Sequence, residues 1–218
     1  MVQPDLAADR ARALALTPVS RETTARLDRF AALLLERQQR QNLIAPSTEL
    51  IVWTRHFADS LQLLPLAPAA RIWADLGSGA GFPGIVIACA LADSPDIWAP
   101  QVHLVESVGK KAVFLREAVK VTGAPATVHH ERIADFVLQA SDRVDVVTAR
   151  ALAPLTKLLA EAYPLLKKGA LGLFPKGQDV EAELTAASKC WTINATLVPS
   201  RTDPKARIVV VTGAEPKP

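Results

Sequence analysis

Asp75-Leu76-Gly77-Ser78-Gly79-Ala80-Gly81-Phe82-Pro83-Gly84 is the stretch on which the reading of this chain turns. It follows a short apolar run, Ile72-Trp73-Ala74, and leads into another, Ile85-Val86-Ile87-Ala88-Cys89-Ala90-Leu91. Strand, glycine-rich turn and helix in that order form the ligand-binding corner of an open α/β sheet. Glycine adopts positive φ at little cost and lets a ligand approach the main chain with no Cβ in the way. Gly79 to Gly84 also satisfies the G-x-G-x-x-G spacing of dinucleotide sites, a weak signal by itself.

Two carboxylates narrow the choice of ligand. Asp75 ends the strand directly before the glycines. A carboxylate there is expected beside the amino-acid end of S-adenosylmethionine, whereas against a pyrophosphate it would add repulsion. Glu106 ends the next strand candidate, Val102-His103-Leu104-Val105-Glu106, where it can accept hydrogen bonds from both ribose hydroxyls. It would serve NAD equally well.

Working outward, short apolar strands alternate with helical stretches from Arg71 onward. Strand candidates are Ile72–Asp75, Val102–Glu106, Ala126–His129, Val144–Thr148 and Ala170–Phe174; helices are expected at Gly84–Leu91, Lys110–Val121 and Leu155–Leu166. Buried strands alternating with helices predict a doubly wound, mostly parallel sheet. Trp191–Val198 and Arg207–Thr212 both read as strands with no long helix between them, so a closing antiparallel pair is expected. Before Pro65 and Pro68 the pattern is helical. Leu27, Phe30, Ala31, Leu34 and Leu35 form one apolar stripe, with Arg26, Arg29, Arg37 and Arg40 on a face turned away from it. A second helix is expected over Thr48–Leu64, capped by Ser47 or Thr48, with Leu50, Trp53, Phe57 and Leu61 as its apolar face. The chain therefore divides into a helical extension, residues 1–68, and an α/β domain, residues 69–218.

Half of the 218 residues are hydrophobic and the net charge is +3, enough for a globular core and compatible with a nucleic-acid partner. Cys89 and Cys190 lack metal-ligand spacing and form no disulfide framework, which suits a reducing compartment. Cys89 is expected buried in an apolar helix and Cys190 structural as well. The start, Met1-Val2-Gln3-Pro4-Asp5, lacks the features of a signal peptide, and the apolar run Gly84–Ala92 is too short to cross a bilayer. The expectation is a soluble, cytoplasmic protein without a membrane or metal partner. His129-His130 adjoins a strand end with no matching ligand set. His56 and Asp59, three apart on one helix, are spaced to interact; a satisfied structural histidine is the expected role, and holding the N-terminal helices over the site is the functional alternative.

The chain resembles the bacterial small-subunit ribosomal RNA guanine-N7 methyltransferase family. The resemblance covers Asn42-Leu43-Ile44-Ala45, Arg55-His56-Phe57-Ala58-Asp59-Ser60-Leu61, the glycine stretch through Phe82-Pro83-Gly84, and Val105-Glu106-Ser107 with Lys110-Lys111. It continues through Arg132, Thr148-Ala149-Arg150-Ala151-Leu152-Ala153-Pro154-Leu155 and Lys176-Gly177. The chain departs from the family at Arg37 and Gln38, where tryptophan and asparagine are frequent, and at Ile44, where threonine is. The resemblance implies a Rossmann-like class I methyltransferase fold and S-adenosyl-L-methionine as cofactor. The implied cofactor positions are Gly77 and Phe82, Glu106 at the ribose, Ile133 and Ala134 near the adenine, and Arg150 after the fourth strand. Asp75, Gly79 and Gly81 join them from the loop reading.

Guanine N7 carries an in-plane lone pair and no proton, so positioning matters more than a general base. In agreement, the chain has no Asn/Asp-Pro-Pro-Tyr segment after the fourth strand. Arg150 is the candidate that positions cofactor or substrate, through guanine O6, a phosphate or a carboxylate. Arg26, Arg29, Arg37, Arg40, Lys110, Lys111 and Lys176 are the expected contacts to ribosomal RNA, free or within a small-subunit particle. An NAD-dependent oxidoreductase and a non-catalytic RNA-binding module are the rival readings.

Overall fold

The computed structural model describes residues 5–140 and 144–218. The chain start, residues 1–4, lies outside them. Seven strands form one sheet: β1 (Ile72–Leu76), β2 (Gln101–Val105), β3 (Ala126–His129), β4 (Val146–Thr148), β5 (Leu171–Lys176), β6 (Trp191–Pro199) and β7 (Arg207–Pro216), in the order β3-β2-β1-β4-β5-β7-β6. The pairs β1–β2, β1–β4, β2–β3 and β4–β5 are parallel, while β7 runs antiparallel to both β5 and β6. This is the doubly wound sheet with an antiparallel closing pair that the alternation predicts. β1 is central because Trp73, Ala74, Asp75 and Leu76 are buried on both faces. Strand order reverses between β1 and β4, and such a switch point opens a crevice at the carboxyl ends of the strands.

Around the sheet lie α4 (Gly84–Ala92), α5 (Gly109–Thr122), α6 (Ile133–Gln139), α7 (Leu155–Lys167) and α8 (Val180–Ala187). The sequence reading anticipated α4, α5 and α7 within a residue or two. It missed α6 and α8, which are too short for the helical period to emerge. Cys89 is buried within α4, whereas Cys190 is exposed and contributes nothing to the core. Among the described residues no helix is long and apolar enough to cross a membrane.

The N-terminal layer opens with α1 (Leu6–Leu16) and α2 (Arg21–Gln38), whose first turns are capped by the side chains of Asp5 and Ser20. Leu27, Phe30 and Leu34 of α2 are fully buried with Ile85, Val86 and Phe114 of the α/β layer in one hydrophobic cluster. A second cluster lies on the other face of the sheet, around Phe136, Leu158, Leu159 and Phe174. α4 is apolar on every side because it is covered by the sheet on one face and the N-terminal layer on the other.

Two expectations for this layer are corrected. Thr48–Leu64 is not one regular helix: a 3-10 segment (Pro46–Ile51) leads into a π-helical stretch (Trp53–Ala58) and a short α3 (Asp59–Leu61). The buried carboxylate of Asp9 in α1 accepts the backbone N–H groups of Trp53 and Thr54 at 2.9 and 3.1 Å, so these donors need no partner in the preceding turn. Neither Ser47 nor Thr48 caps the segment, and Leu50 points outward, 51% exposed.

The arginine face of α2 is the second correction. Arg26 pairs with Asp93 and donates to the carbonyls of Thr122 and Gly123; Arg29 donates to the carbonyl of Val121. Both satisfy carbonyls left open at the end of α5, where partial negative charge collects. Arg37 is bound to Glu117 of α5. Three of the four arginines thus fasten the extension to the sheet domain, and Arg40, exposed, is the one with no such contact among the described residues.

Candidate functional site

Two clefts open along the carboxyl ends of the parallel strands. The first, about 890 Å³, lies beneath the N-terminal layer and the loop joining β6 to β7; its wall includes Ile44, His56, Phe82, Arg150 and Ser200. The second, about 790 Å³, lies over β2 and α6 and is walled by Glu106, Ile133, Ala134, Val137 and Leu138. Gly77, Gly79, Lys111, Ala151 and Leu152 border both, so the clefts meet at the glycine turn.

The turn is held from below. The N–H groups of Gly77 and Ser78 donate to the Val105 carbonyl at 2.9 and 3.0 Å, and Gly77 sits at φ 71°. A Cβ at Gly77 would lie 2.6 Å from Leu152 Cδ1, which rests on the turn from above. The space above Gly77 is thus already taken by a side chain that borders both clefts.

Asp75 is placed differently from the expectation. Its carboxylate is fully buried under the turn and borders neither cleft. Oδ2 accepts the Gly84 N–H at 3.0 Å, and Oδ1 is buried without a hydrogen-bond partner. Burial pushes this carboxyl up to about 7, and the nearby charge of Glu106 adds to the rise. Asp75 therefore shapes the loop and does not reach a ligand directly. Gly81 is corrected likewise: a Cβ there would meet Ile85 and Phe30, so it faces the N-terminal layer and not a cleft.

Glu106 is buried at the edge of the second cleft, where its oxygens accept the N–H groups of Gly79 at 2.9 Å and Val108 at 2.7 Å. A carboxylate offers about four lone-pair sites, so each oxygen retains capacity for a ligand donor. Ile133 and Ala134 begin α6 on the same wall. Phe82 borders the first cleft with its ring against His56, Phe30 and Phe57.

Arg150 follows β4 and reaches under the N-terminal layer. Nη1 donates to the Arg55 carbonyl at 3.1 Å and to Asp59 Oδ2 at 3.3 Å, while Nη2 lies 2.7 Å from His56 Nδ1. The guanidinium carbon stands 5.2 Å from the centre of the Phe82 ring. His56 and Asp59, spaced so that they could pair with each other, converge on Arg150. Asp59 Oδ1 also accepts from Gln62 and Thr202, which ties the β6–β7 loop into the same network. Gln62 and Thr202 carry no periodicity or motif, so the sequence reading did not single them out.

Lys176 does not stand free for RNA: its Nζ donates to the Ala153 carbonyl and to Glu183. Lys110 is exposed, and Lys111 stands where the two clefts join. Gln38, one of the departures from the family pattern, accepts the N–H groups of Leu43 and Ile44 and so holds the lip of the first cleft. His129 packs on Phe136 and lies 3.0 Å from His103, and among the described residues no group of His, Cys, Asp and Glu side chains could hold a metal ion.

Comparison with known proteins accords with this geometry. The O-methyltransferase TomG from Streptomyces achromogenes, solved in complex with SAM, is 13% identical and superposes with a TM-score of 0.59 over 98% of this chain and 100% of its own. At that identity the likeness shows the shared fold. Ribosomal RNA small subunit methyltransferase G of Bradyrhizobium sp. (strain ORS 278) is 61% identical over 95% of this chain and 92% of its own length. The protein of the same name from Rhodopseudomonas palustris (strain BisB18) is 55% identical over 98% and 90%. Residues 23–207, from the first turn of α2 to the start of β7, match the family described as rRNA small subunit methyltransferase G, and the chain belongs to that family.

Proposed function

We propose that this chain transfers the methyl group of S-adenosylmethionine to N7 of a guanine in small-subunit ribosomal RNA. The observation that carries the reading, beyond family membership, is the meeting of two clefts at Gly77 and Gly79. One cleft suits a nucleoside and the other is open to a large partner. The second cleft fits the cofactor: Glu106 offers acceptors for ribose hydroxyls, Ile133 and Ala134 offer an apolar wall for adenine, and Gly77 and Gly79 of the turn border it with no side chain of their own. The bound cofactor supplies a methyl group on a sulfonium, already activated for transfer.

The chain's own residues then orient and exclude. Phe82 and Leu152 shape the passage between the clefts, and Asp75 keeps the turn in place from beneath. Arg150, with a permanent positive charge, holds the cofactor's carboxylate or an oxygen of the substrate. N7 has no proton to lose, and no general base is assigned. Of the expected RNA contacts, Arg40, Lys110 and Lys111 are those with no side-chain partner among the described residues. Residues 1–68 serve as a helical cover and residues 69–218 as the cofactor-binding domain, acting in the cytoplasm on RNA or on a small-subunit particle.

The test maps N7-methylguanine in ribosomal RNA from cells with and without the gene. Loss of one methylated site is expected, and an unchanged map would refute the substrate. Calorimetry with S-adenosylhomocysteine and NADH separates the oxidoreductase reading, since only the former is expected to bind.

A further inference from the structure

Among the described residues the Arg150 guanidinium is hydrogen-bonded from one stretch only, the irregular helical segment that carries Arg55, His56 and Asp59. Nη1 has two acceptors there and Nη2 has one. Of the five N–H groups of arginine, the Nε–H and one Nη2–H have no hydrogen-bond partner among the described residues. His56 touches both surfaces that define this geometry. Its ring stacks on Phe82 with centroids 4.9 Å apart, and its Nδ1 meets Nη2 edge-on at 2.7 Å.

The protonation state of this imidazole follows from its neighbours. Arginine has only donors, so Nδ1 must be the acceptor and the ring proton sits on Nε2. That proton is donated to Thr48 Oγ1 at 2.9 Å, and the Thr48 hydroxyl donates onward to the Ala45 carbonyl at 2.7 Å. Every donor in the relay finds an acceptor only when His56 is neutral. Burial, with the charges of Arg150 and Arg55 beside it, pushes the imidazole down to about 3.

We infer that His56 is a positioning residue for methyl transfer: as a neutral acceptor it fixes the plane of Arg150 over Phe82 and reserves the Nε edge of the guanidinium for a carboxylate or phosphate oxygen of the ligand. The inference rests on the methyl-transfer reading of these clefts. It makes the N-terminal layer part of the site's geometry as well as its cover.

The test uses the full chain. His56→Phe keeps an aromatic ring against Phe82 and removes the acceptor; His56→Asn restores an oxygen near the place of Nδ1. S-adenosylhomocysteine affinity is measured by calorimetry, and methyl transfer to small-subunit particles with methyl-labelled cofactor. His56→Phe is expected to lower kcat/KM by about 10²-fold, the scale of a misplaced positioning group. His56→Asn is expected to recover most of that loss. In an Arg150→Ala background, His56→Phe is expected to add no more than about twofold, because its effect passes through Arg150. Should His56→Phe unfold, His56→Gln gives the same comparison, since its amide reaches toward Nε2 and leaves Nδ1 empty. Equal losses in both backgrounds, or parental rates in His56→Phe, would overturn the inference while leaving the function standing. An unaltered chain that neither binds S-adenosylhomocysteine nor transfers methyl overturns both.

Discussion

Replacing Asp75 by asparagine isolates the cost of burying a carboxylate under the glycine turn. The folded carboxyl is raised from 3.8 to about 7. Between those values the folded chain holds a proton that the unfolded chain has released, so stability falls as pH rises through that window. Each pKa unit corresponds to about 1.4 kcal/mol, which puts the full penalty at about 4 kcal/mol above neutral pH. Asparagine keeps an oxygen for the Gly84 N–H but leaves an amide N–H₂ where Oδ1 lacks a partner, at a cost of about 1–3 kcal/mol. Asp75→Asn is therefore expected to be at least as stable as the parent at about pH 8, and its advantage to shrink by about 3 kcal/mol by about pH 5. Urea unfolding of both proteins at the two pH values reads this directly. A stability difference that stays constant across the range would refute the reasoning, because it would mean that Asp75 folds without a bound proton.

His56 bears on the same measurement with the opposite sign. Its folded pKa is depressed from 6.5 to about 3, so its contribution is present above 6.5 and lost as pH falls. It should cost the parent about 2 kcal/mol between about pH 6.5 and 5, and His56→Asn should remove that slope in the same urea titrations. Arg26→Ala, which uncaps the end of α5, is expected to lose about 1–3 kcal/mol of stability with RNA affinity unchanged. Lys110→Ala should do the reverse, leaving stability intact and lowering the salt dependence of RNA binding by about one unit of slope; filter binding across a salt series distinguishes the two. Gly77→Val should abolish S-adenosylhomocysteine binding in calorimetry, since a branched side chain at positive φ collides with Leu152, and parental affinity would remove Gly77 from the site.

The sheet was legible because its strands are apolar runs punctuated by glycine and charge, and β1 to β5 were read at nearly their observed positions. The helices α4, α5 and α7 showed the same clarity. The π-helical stretch was not legible, because its cause is Asp9, more than forty residues earlier in sequence. The arginines of α2 lay on the predicted face, but periodicity says where a side chain points and not what stands opposite. Carbonyls at the end of α5, invisible in any sequence, were what stood there. Within the glycine loop, residue types marked the right segment without separating those facing a cleft from those facing the core. Asp75 and Gly81 turned inward, and Gly77 and Gly79 border the clefts. Leu152 stands in the sequence only as part of the Thr148–Leu155 segment, with no role of its own, because a leucine in a short loop carries no chemical signature.

The wholly apolar character of α4 has a consequence for how the chain is made. α2 leaves the ribosome before the surface that answers its apolar side, which belongs to α4 and α5, residues 84–122. Until those emerge, α2 lacks that surface, so closure of this core waits on contacts between distant parts of the chain. A version trimmed of its first sixty or so residues would not be a smaller enzyme. It would be a sheet with one oily helix bared to water, and clumping would be its commonest fate.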